Sequence, residues 1–283
     1  MRLHELSARD CVRLIAQEDR AVLDAMDKAG SALAGFIEAA ERGFIAGGRL
    51  VYLGAGTSGR LGVLDASEAP PTFQVLPDRI IGIIAGGDGA LRKSSESKED
   101  DPKGAWPELE KLGLNANDAV VGIAAGGTTP YVLGAFAFTS SLVSRPVTAM
   151  LSCSPVPRPE GADHLIVLET GPEVITGSTR MKAGTATKLA LNTISTTLMI
   201  RSGRVFENLM VDLRASNDKL KDRAVRIVGT LTGLSRLDAM ALLDRAAGRV
   251  KVAVVMHRRG VDAGEAERLL AAGDDRLDRA LSR

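Results

Sequence analysis

The chain has 283 residues, enough for one large α/β domain and a smaller one, and its 45% hydrophobic and 25% charged composition is that of a folded globular protein. A formal net charge of +1 and an aromatic content of 3% supply neither the field nor the stacking surfaces that nucleic acid or an anionic membrane recruits. The opening Met1-Arg2-Leu3-His4-Glu5 lacks the apolar core of a signal peptide, and no apolar run reaches the ~18–20 residues that span a bilayer. Cys11, Cys153, His4, His164 and His257 fall in no zinc-type spacing, so the thiols read as structural and no metal is expected. The expected compartment is the cytoplasm.

From about Ala8 to Gly47, apolar positions such as Val12, Ile15, Val22, Met26, Leu33 and Ile37 recur near helical spacing. Five short β-rich runs follow: Leu50–Leu53, Ile80–Ile84, Ala119–Ile123, Val147–Leu151 and Leu165–Leu168. Helix-forming segments, including Thr129–Ser141, lie between them. Non-alternating apolar strands alternating with helices predict a parallel sheet covered on both faces. A long helix is expected over Lys182–Arg201, ending at Gly203. Beyond Arg204 no strong strand is predicted. Leu220–Leu231, Arg236–Ala246 and Ala263–Ala271 read as short amphipathic helices, with a turn at Gly233–Ser235. The expected organisation is a helical extension over 1–47, a sheet domain over 48–204 and a helical domain over 205–283.

In parallel α/β sheets ligands sit beyond the carboxyl ends of the strands, and three glycine-rich turns fall there: Gly54–Gly59, Gly86–Gly89 and Gly126-Gly127. The first, Gly54-Ala55-Gly56-Thr57-Ser58-Gly59, lets backbone N–H groups approach an anion at a helix N-terminus, with Thr57 and Ser58 adding hydroxyl donors. It also satisfies G-x-G-x-x-G. The acidic residue that would hold a dinucleotide ribose is expected about 20 residues on, whereas Asp88 lies 29 residues past Gly59 within a glycine turn. A compact phosphate monoester is therefore preferred to a dinucleotide, with an empty tight turn as the alternative. The second hydroxyl segment, Gly126-Gly127-Thr128-Thr129-Pro130, allows either ligand contact or a plain helix cap by Thr128 or Thr129. Arg180, in Gly177-Ser178-Thr179-Arg180-Met181-Lys182, suits a phosphate or an ion pair with Glu173, and the ion pair is the simpler reading. By position alone, Glu68 before Pro70-Pro71 and Glu99 in a charge run read as solvated surface groups.

Together, GRLVYLGAGTSGRLGVLDASEAPPTF, GIIAGGDGAL, GPEVITGSTRMKAGTATKLALNTIST and NLMVDLRASNDKLKDRA closely resemble the N-acetylmuramic acid 6-phosphate etherases. These are sugar-isomerase (SIS) domain enzymes related to the glucokinase regulatory protein. The resemblance implies a three-layer α/β/α SIS sheet with a small C-terminal helical domain. It also implies a homodimer, a sugar-phosphate substrate, and neither metal nor organic cofactor. The implied reaction removes the D-lactyl ether from C3 of N-acetylmuramate 6-phosphate in cell-wall recycling. By the same resemblance, Glu68 is the acid that protonates the departing lactate and Glu99 the base at C2. Gly56, Thr57, Ser58 and Gly59 form the phosphate loop, and Gly126, Thr128, Thr129, Arg180 and Lys219 complete the sugar-phosphate contacts. A sugar-phosphate-binding regulator and an aldose–ketose isomerase are the alternatives on this fold.

Two departures stand out. Typical etherases carry Ala-Ser-Gly-Arg-Thr-Pro where this chain has Ala125-Gly126-Gly127-Thr128-Thr129-Pro130, and a Thr-Glu-x-x-Asn-Pro type segment is absent from its start. Geometry adds a difficulty, because one α-helix from Ser58 would carry Glu68 ~15 Å away. Either the helix is irregular near Gly62 or Glu68 serves a neighbouring subunit; the second is the expectation.

Overall fold

The computed structural model describes residues 2–93, 96–213 and 218–282. Contacts divide the chain into two units, one formed by residues up to Ala69 with Pro77–Thr196, the other by Pro70–Leu76 with residues from Thr197 on.

In the first unit, Ser7 caps α1 (Ala8–Glu18) by accepting the Asp10 N–H. Helix α2 (Ala21–Ile45) follows, so the predicted helical stretch is two helices broken at Asp19-Arg20. The break separates different burial patterns: α1 buries none of its residues, whereas α2 turns Val22, Ala29, Leu33, Phe36 and Phe44 inward.

The five strands β1 (Leu50–Gly54), β2 (Ile80–Ile84), β3 (Ala119–Ile123), β4 (Val147–Ser152) and β5 (His164–Val167) form one parallel sheet in the order β2-β1-β3-β4-β5. The last strand starts one residue earlier than its apolar run. Every residue of β1 and β3 is buried, which explains why neither alternates in sequence. Residues paired in register share a face. Val51, Leu53, Val120 and Met150 pack in one cluster with residues of α4 (Trp106–Leu112) and α5 (Pro130–Ser140); α3 (Gly56–Phe73) and α6 (Lys182–Arg201) lie on the opposite face. There the Tyr52 hydroxyl donates to the Leu191 carbonyl at 3.3 Å, and a Cβ on Gly62 would lie 2.9 Å from that of Tyr52. Phe36 of α2 meets His164 edge-on at 5.8 Å on the same face. The result is the predicted three-layer α/β/α arrangement.

At the amino end of the sheet, buried Asp118 accepts the Arg49 N–H at 2.8 Å and its guanidinium at 2.7 Å, joining the starts of β1 and β3. Burial alone would raise this carboxyl, but the Arg49 guanidinium and the Asn115 and Arg49 N–H groups outweigh it and hold it below its ordinary value.

Helix α3 runs unbroken through Gly62 to Phe73, so the irregular-helix expectation does not hold. Pro70 and Pro71 lie inside its last turns, where they supply no N–H to the carbonyls of Ala66 and Ser67.

The second unit contains β6 (Val205–Phe206), β7 (Leu209–Met210), α7 (Asp218–Thr232), α8 (Arg236–Arg245), α9 (Val250–Arg259), α10 (Ala263–Ala272) and α11 (Leu277–Ser282). The antiparallel β6–β7 hairpin consists of two-residue strands, too short to show alternation, so among the described residues no strong strand lies beyond Arg204, as expected. Helix α9 was not expected from its valine-rich sequence. Val250, Lys251, Val252, Ala253, Val254 and Val255 are all buried, so this part of the helix shows no amphipathic period, while the last turn, His257-Arg258-Arg259, is exposed. The Lys251 ammonium is held by Asp212 at 2.7 Å and Asp275 at 3.0 Å. Gln74, Arg204, Asp212 and Lys251 border a cavity of about 380 Å³ in this unit. Among the described residues, no helix is long and apolar enough to cross a membrane.

Candidate functional site

The strand order reverses between β1 and β3, and the loops leaving these strands mark the switch point where such sheets bind ligands. In the β1–α3 loop, Gly56 takes φ 53°, which favours glycine. A Cβ on Gly59 would come within 2.5 Å of the Gly54 carbonyl oxygen and 2.7 Å of Ile84, so the helix starts directly against the sheet. In the first turn of α3 the Gly59 N–H donates to the Ala55 carbonyl at 3.2 Å, whereas those of Gly56, Thr57 and Ser58 have no carbonyl one turn back to receive them. Thr57 and Ser58 are half-buried, and their hydroxyls have no hydrogen-bond partner among the described residues. The loop is thus a set of unused donors at the positive end of a helix.

After β3, Gly127 adopts φ 75° and its N–H donates to the Ala124 carbonyl at 2.9 Å. Thr129 occupies the N-cap position of α5, with Pro130 next, but its side chain makes no capping bond. The plain-cap reading therefore leaves the Thr129 hydroxyl unaccounted for. Thr128 and Gly126 are exposed beside it.

Glu99 is exposed and follows the short 3₁₀ turn Glu96–Lys98. Its carbonyl accepts the Tyr131 N–H at 3.0 Å, which fixes its backbone beside the first turn of α5 and the Thr128-Thr129 segment. The Gly86–Gly89 turn runs into the 3₁₀ turn Asp88–Leu91, which is anchored separately: Arg60 in the first turns of α3 donates to the Leu91 carbonyl at 3.2 Å.

The segment before α6 borders the same loop. A Cβ on Gly184 would lie 3.5 Å from the Thr57 methyl and 3.5 Å from the Thr179 carbonyl oxygen. Glu173 accepts the N–H groups of Lys182 at 3.1 Å and Ala183 at 2.9 Å, so its carboxylate caps α6. This corrects the expected Arg180–Glu173 pair: Arg180 is exposed and has no ion pair among the described residues. Lys182, buried, instead pairs with Glu18 at 2.7 Å. Cys153, after β4, donates to the Ala183 carbonyl at 3.4 Å, and burial pushes its thiol up to about 11, a protonated packing group.

The first unit therefore assembles Gly56, Thr57, Ser58 and Gly59 beside the Thr179–Arg180 segment, and Glu99 beside Gly126, Thr128 and Thr129. It does not bring Glu68 to the β1 loop, because Glu68 is exposed and ten residues along the helix from Ser58, ~15 Å by rise. Lys219 belongs to the second unit, exposed on α7. Sequence reasoning missed Arg60 and the capping role of Glu173. Each works through a backbone partner distant in sequence, which leaves no local motif. Among the described residues, no three His, Cys, Asp or Glu side chains gather as a metal-binding group.

Fold and loops define an SIS domain: residues 32–140 match the profile of the glucokinase regulatory protein N-terminal SIS domain. A phosphoheptose isomerase structure from Neisseria gonorrhoeae is also similar, with a TM-score of 0.49 and 13% identity, covering 67% of this chain and 97% of that one. Across the whole length the likeness is narrower. An N-acetylmuramic acid 6-phosphate etherase from Gloeobacter violaceus is 50% identical over 283 residues, all of this chain and 92% of the relative. One from Serratia proteamaculans is 49% identical, covering 100% of this chain and 95% of the relative, and one from Bacillus licheniformis is 44% identical, covering 99% and 92%. The chain belongs to the N-acetylmuramic acid 6-phosphate etherase family.

Proposed function

We propose that this enzyme cleaves the D-lactyl ether of N-acetylmuramate 6-phosphate with water, giving N-acetylglucosamine 6-phosphate and D-lactate in cell-wall sugar recycling. The observation that carries this reading is near-50% identity to etherases over the entire chain. The donor-rich loop at the switch point supports a phosphate ligand independently. The phosphate is received by Gly56, Thr57, Ser58 and Gly59, with Gly126, Thr128 and Thr129 on the second loop and Arg180 and Lys219 as cationic contacts. Opening of the sugar ring exposes the C1 aldehyde, which acidifies the C2 proton. Glu99 removes that proton, the C3–O bond breaks as C2=C3 forms, and Glu68 protonates the leaving lactate oxygen. Water then adds its oxygen to C3 and a proton returns to C2, restoring the saturated sugar.

The unbroken α3 supports Glu68 acting in a neighbouring subunit of a homodimer. D-lactate release by the purified protein tests the reaction, and Glu68→Gln and Glu99→Gln should each lower kcat by roughly 10²–10⁴-fold. Mixed dimers of the two variants should regain part of the activity; mixtures as inactive as either parent would exclude the shared site. A wild-type protein that binds the substrate without releasing D-lactate would favour the regulator.

A further inference from the structure

Helices α3 and α6 lie side by side within the first unit, and their seam runs from the phosphate loop towards Glu68. Near its start, Gly184 of α6 packs on Thr57, as the 3.5 Å spacing of its Cβ position from the Thr57 methyl shows. Further along, the Ser195 hydroxyl donates to Asp65 of α3 at 3.2 Å, so the two helices run the same way. Lys188 stands one turn beyond Gly184, ~6 Å by rise. With the Asn192 amide oriented so that each of its atoms meets a complementary partner, Lys188 donates its ammonium to the amide oxygen at 2.9 Å. The amide nitrogen in turn donates to Asp65 at 3.2 Å. Asp65 is 8% exposed, and Glu68 follows it by three residues, about 5–6 Å away between Cβ atoms on one helix face. The charges of Glu68 and Lys188 both bear on Asp65, so the two flank it from neighbouring helices. Lys188 is exposed and has no ion-pair partner among the described residues. Burial favours the protonated form of Asp65, which weakens it as a counter-ion for the ammonium.

The ether substrate has two anionic groups, and the β1–α3 loop accounts only for its phosphate. The second, the lactyl carboxylate, is bonded to the same carbon as the ether oxygen. Whatever group protonates that oxygen therefore has the carboxylate as its immediate neighbour, and a cation is needed there to offset the charge. We infer that Lys188 receives the lactyl carboxylate beside Glu68 and is the specificity-determining residue that distinguishes the ether from its sugar product. This rests on the etherase reading with Glu68 as the acid. It holds whichever subunit's sugar Glu68 serves, because Lys188 belongs to the same seam and travels with it.

The test compares full-length wild type, Lys188→Met and Lys188→Arg on the ether substrate and on its analogue with the lactyl carboxylate converted to an amide. Inhibition by N-acetylglucosamine 6-phosphate, which has the phosphate but no lactyl group, is measured beside them. Wild type should prefer the carboxylate to the amide by at least about 10-fold in kcat/KM, the worth of one charge-assisted hydrogen bond. Lys188→Met should bring that preference within about 2-fold and leave the inhibition constant of the product unchanged, and Lys188→Arg should keep part of the preference. A wild type indifferent to the amide overturns the inference, as does a Lys188→Met protein that retains the full preference. A rise in the product's inhibition constant equal to the loss in kcat/KM also overturns it, since Lys188 would then serve the phosphate. Full activity in Glu68→Gln would remove the acid separately, with the carboxylate–amide comparison still deciding Lys188. If wild type releases no D-lactate, the etherase reading fails separately, and calorimetric titration with N-acetylmuramate 6-phosphate and N-acetylglucosamine 6-phosphate decides the lysine. Tighter binding of the ether that Lys188→Met abolishes sustains its role, and equal binding of both sugars by wild type overturns it.

Discussion

Gly126 and Gly127 are chain neighbours with opposite tolerance for a side chain. A Cβ on Gly126 meets only the Thr128 hydroxyl, at 4.0 Å, whereas one on Gly127 would fall 2.7 Å from Val156 on a backbone at φ 75°. Gly126→Ser should therefore fold normally and return the hydroxyl that typical etherases carry here. A single charge-assisted hydrogen bond to phosphate is worth about 1.5–3 kcal/mol, so KM for the ether should fall by roughly 10- to 150-fold. The matching Gly127→Ser variant should lose stability instead. Comparison of melting curves and KM values checks both, and a Gly126→Ser protein with unchanged KM would mean that this loop does not reach the phosphate. Residues of this kind were legible in the sequence because glycine and hydroxyl types announce loop chemistry. The Glu173 cap was not, since nothing local marks a carboxylate whose partners come nine and ten residues later.

Between α3 and α6 lies a buried carboxyl that the proposed reaction does not use. Asp65 accepts the Ser195 hydroxyl at 3.2 Å, while its second oxygen has no partner. Burial pushes this carboxyl above its ordinary value, against the opposing hydrogen bond from Ser195. The folded state thus holds the proton more tightly than the unfolded chain. Its contribution is fully present below the ordinary carboxylate pKa and is lost as pH rises through the raised value. Asp65→Asn should remove that dependence: thermal melts of the two proteins should diverge in the variant's favour as pH rises from 4 to 8, and parallel profiles would refute it. The central strands were legible as short β-rich apolar runs between glycine turns and α6 as a long helix-forming run ending at Gly203, whereas the wholly buried start of α9, Val250–Val255, and the two-residue strands of the hairpin carry no period to read.

The division of the molecule is not a single cut of the chain. Pro70–Leu76 belongs with residues from Thr197 on, and Gln74 borders the cavity that Arg204, Asp212 and Lys251 also line. A fragment of residues 197–283 should consequently melt below the same fragment with residues 70–76 joined through a flexible linker. Each kcal/mol recovered should raise the midpoint by roughly 4–8 °C, and coincident melts would show that the segment adds nothing. The same discontinuity has a consequence in time. The ribosome releases Pro70–Leu76 about 120 residues before Thr197, which at ~5–20 residues per second leaves the segment waiting roughly 6–24 s for partners not yet synthesised. During that interval Pro70 and Pro71 offer no N–H to a stray strand, so the residues that interrupt the ladder of α3 also guard a nascent chain against pairing with its neighbours on the polysome.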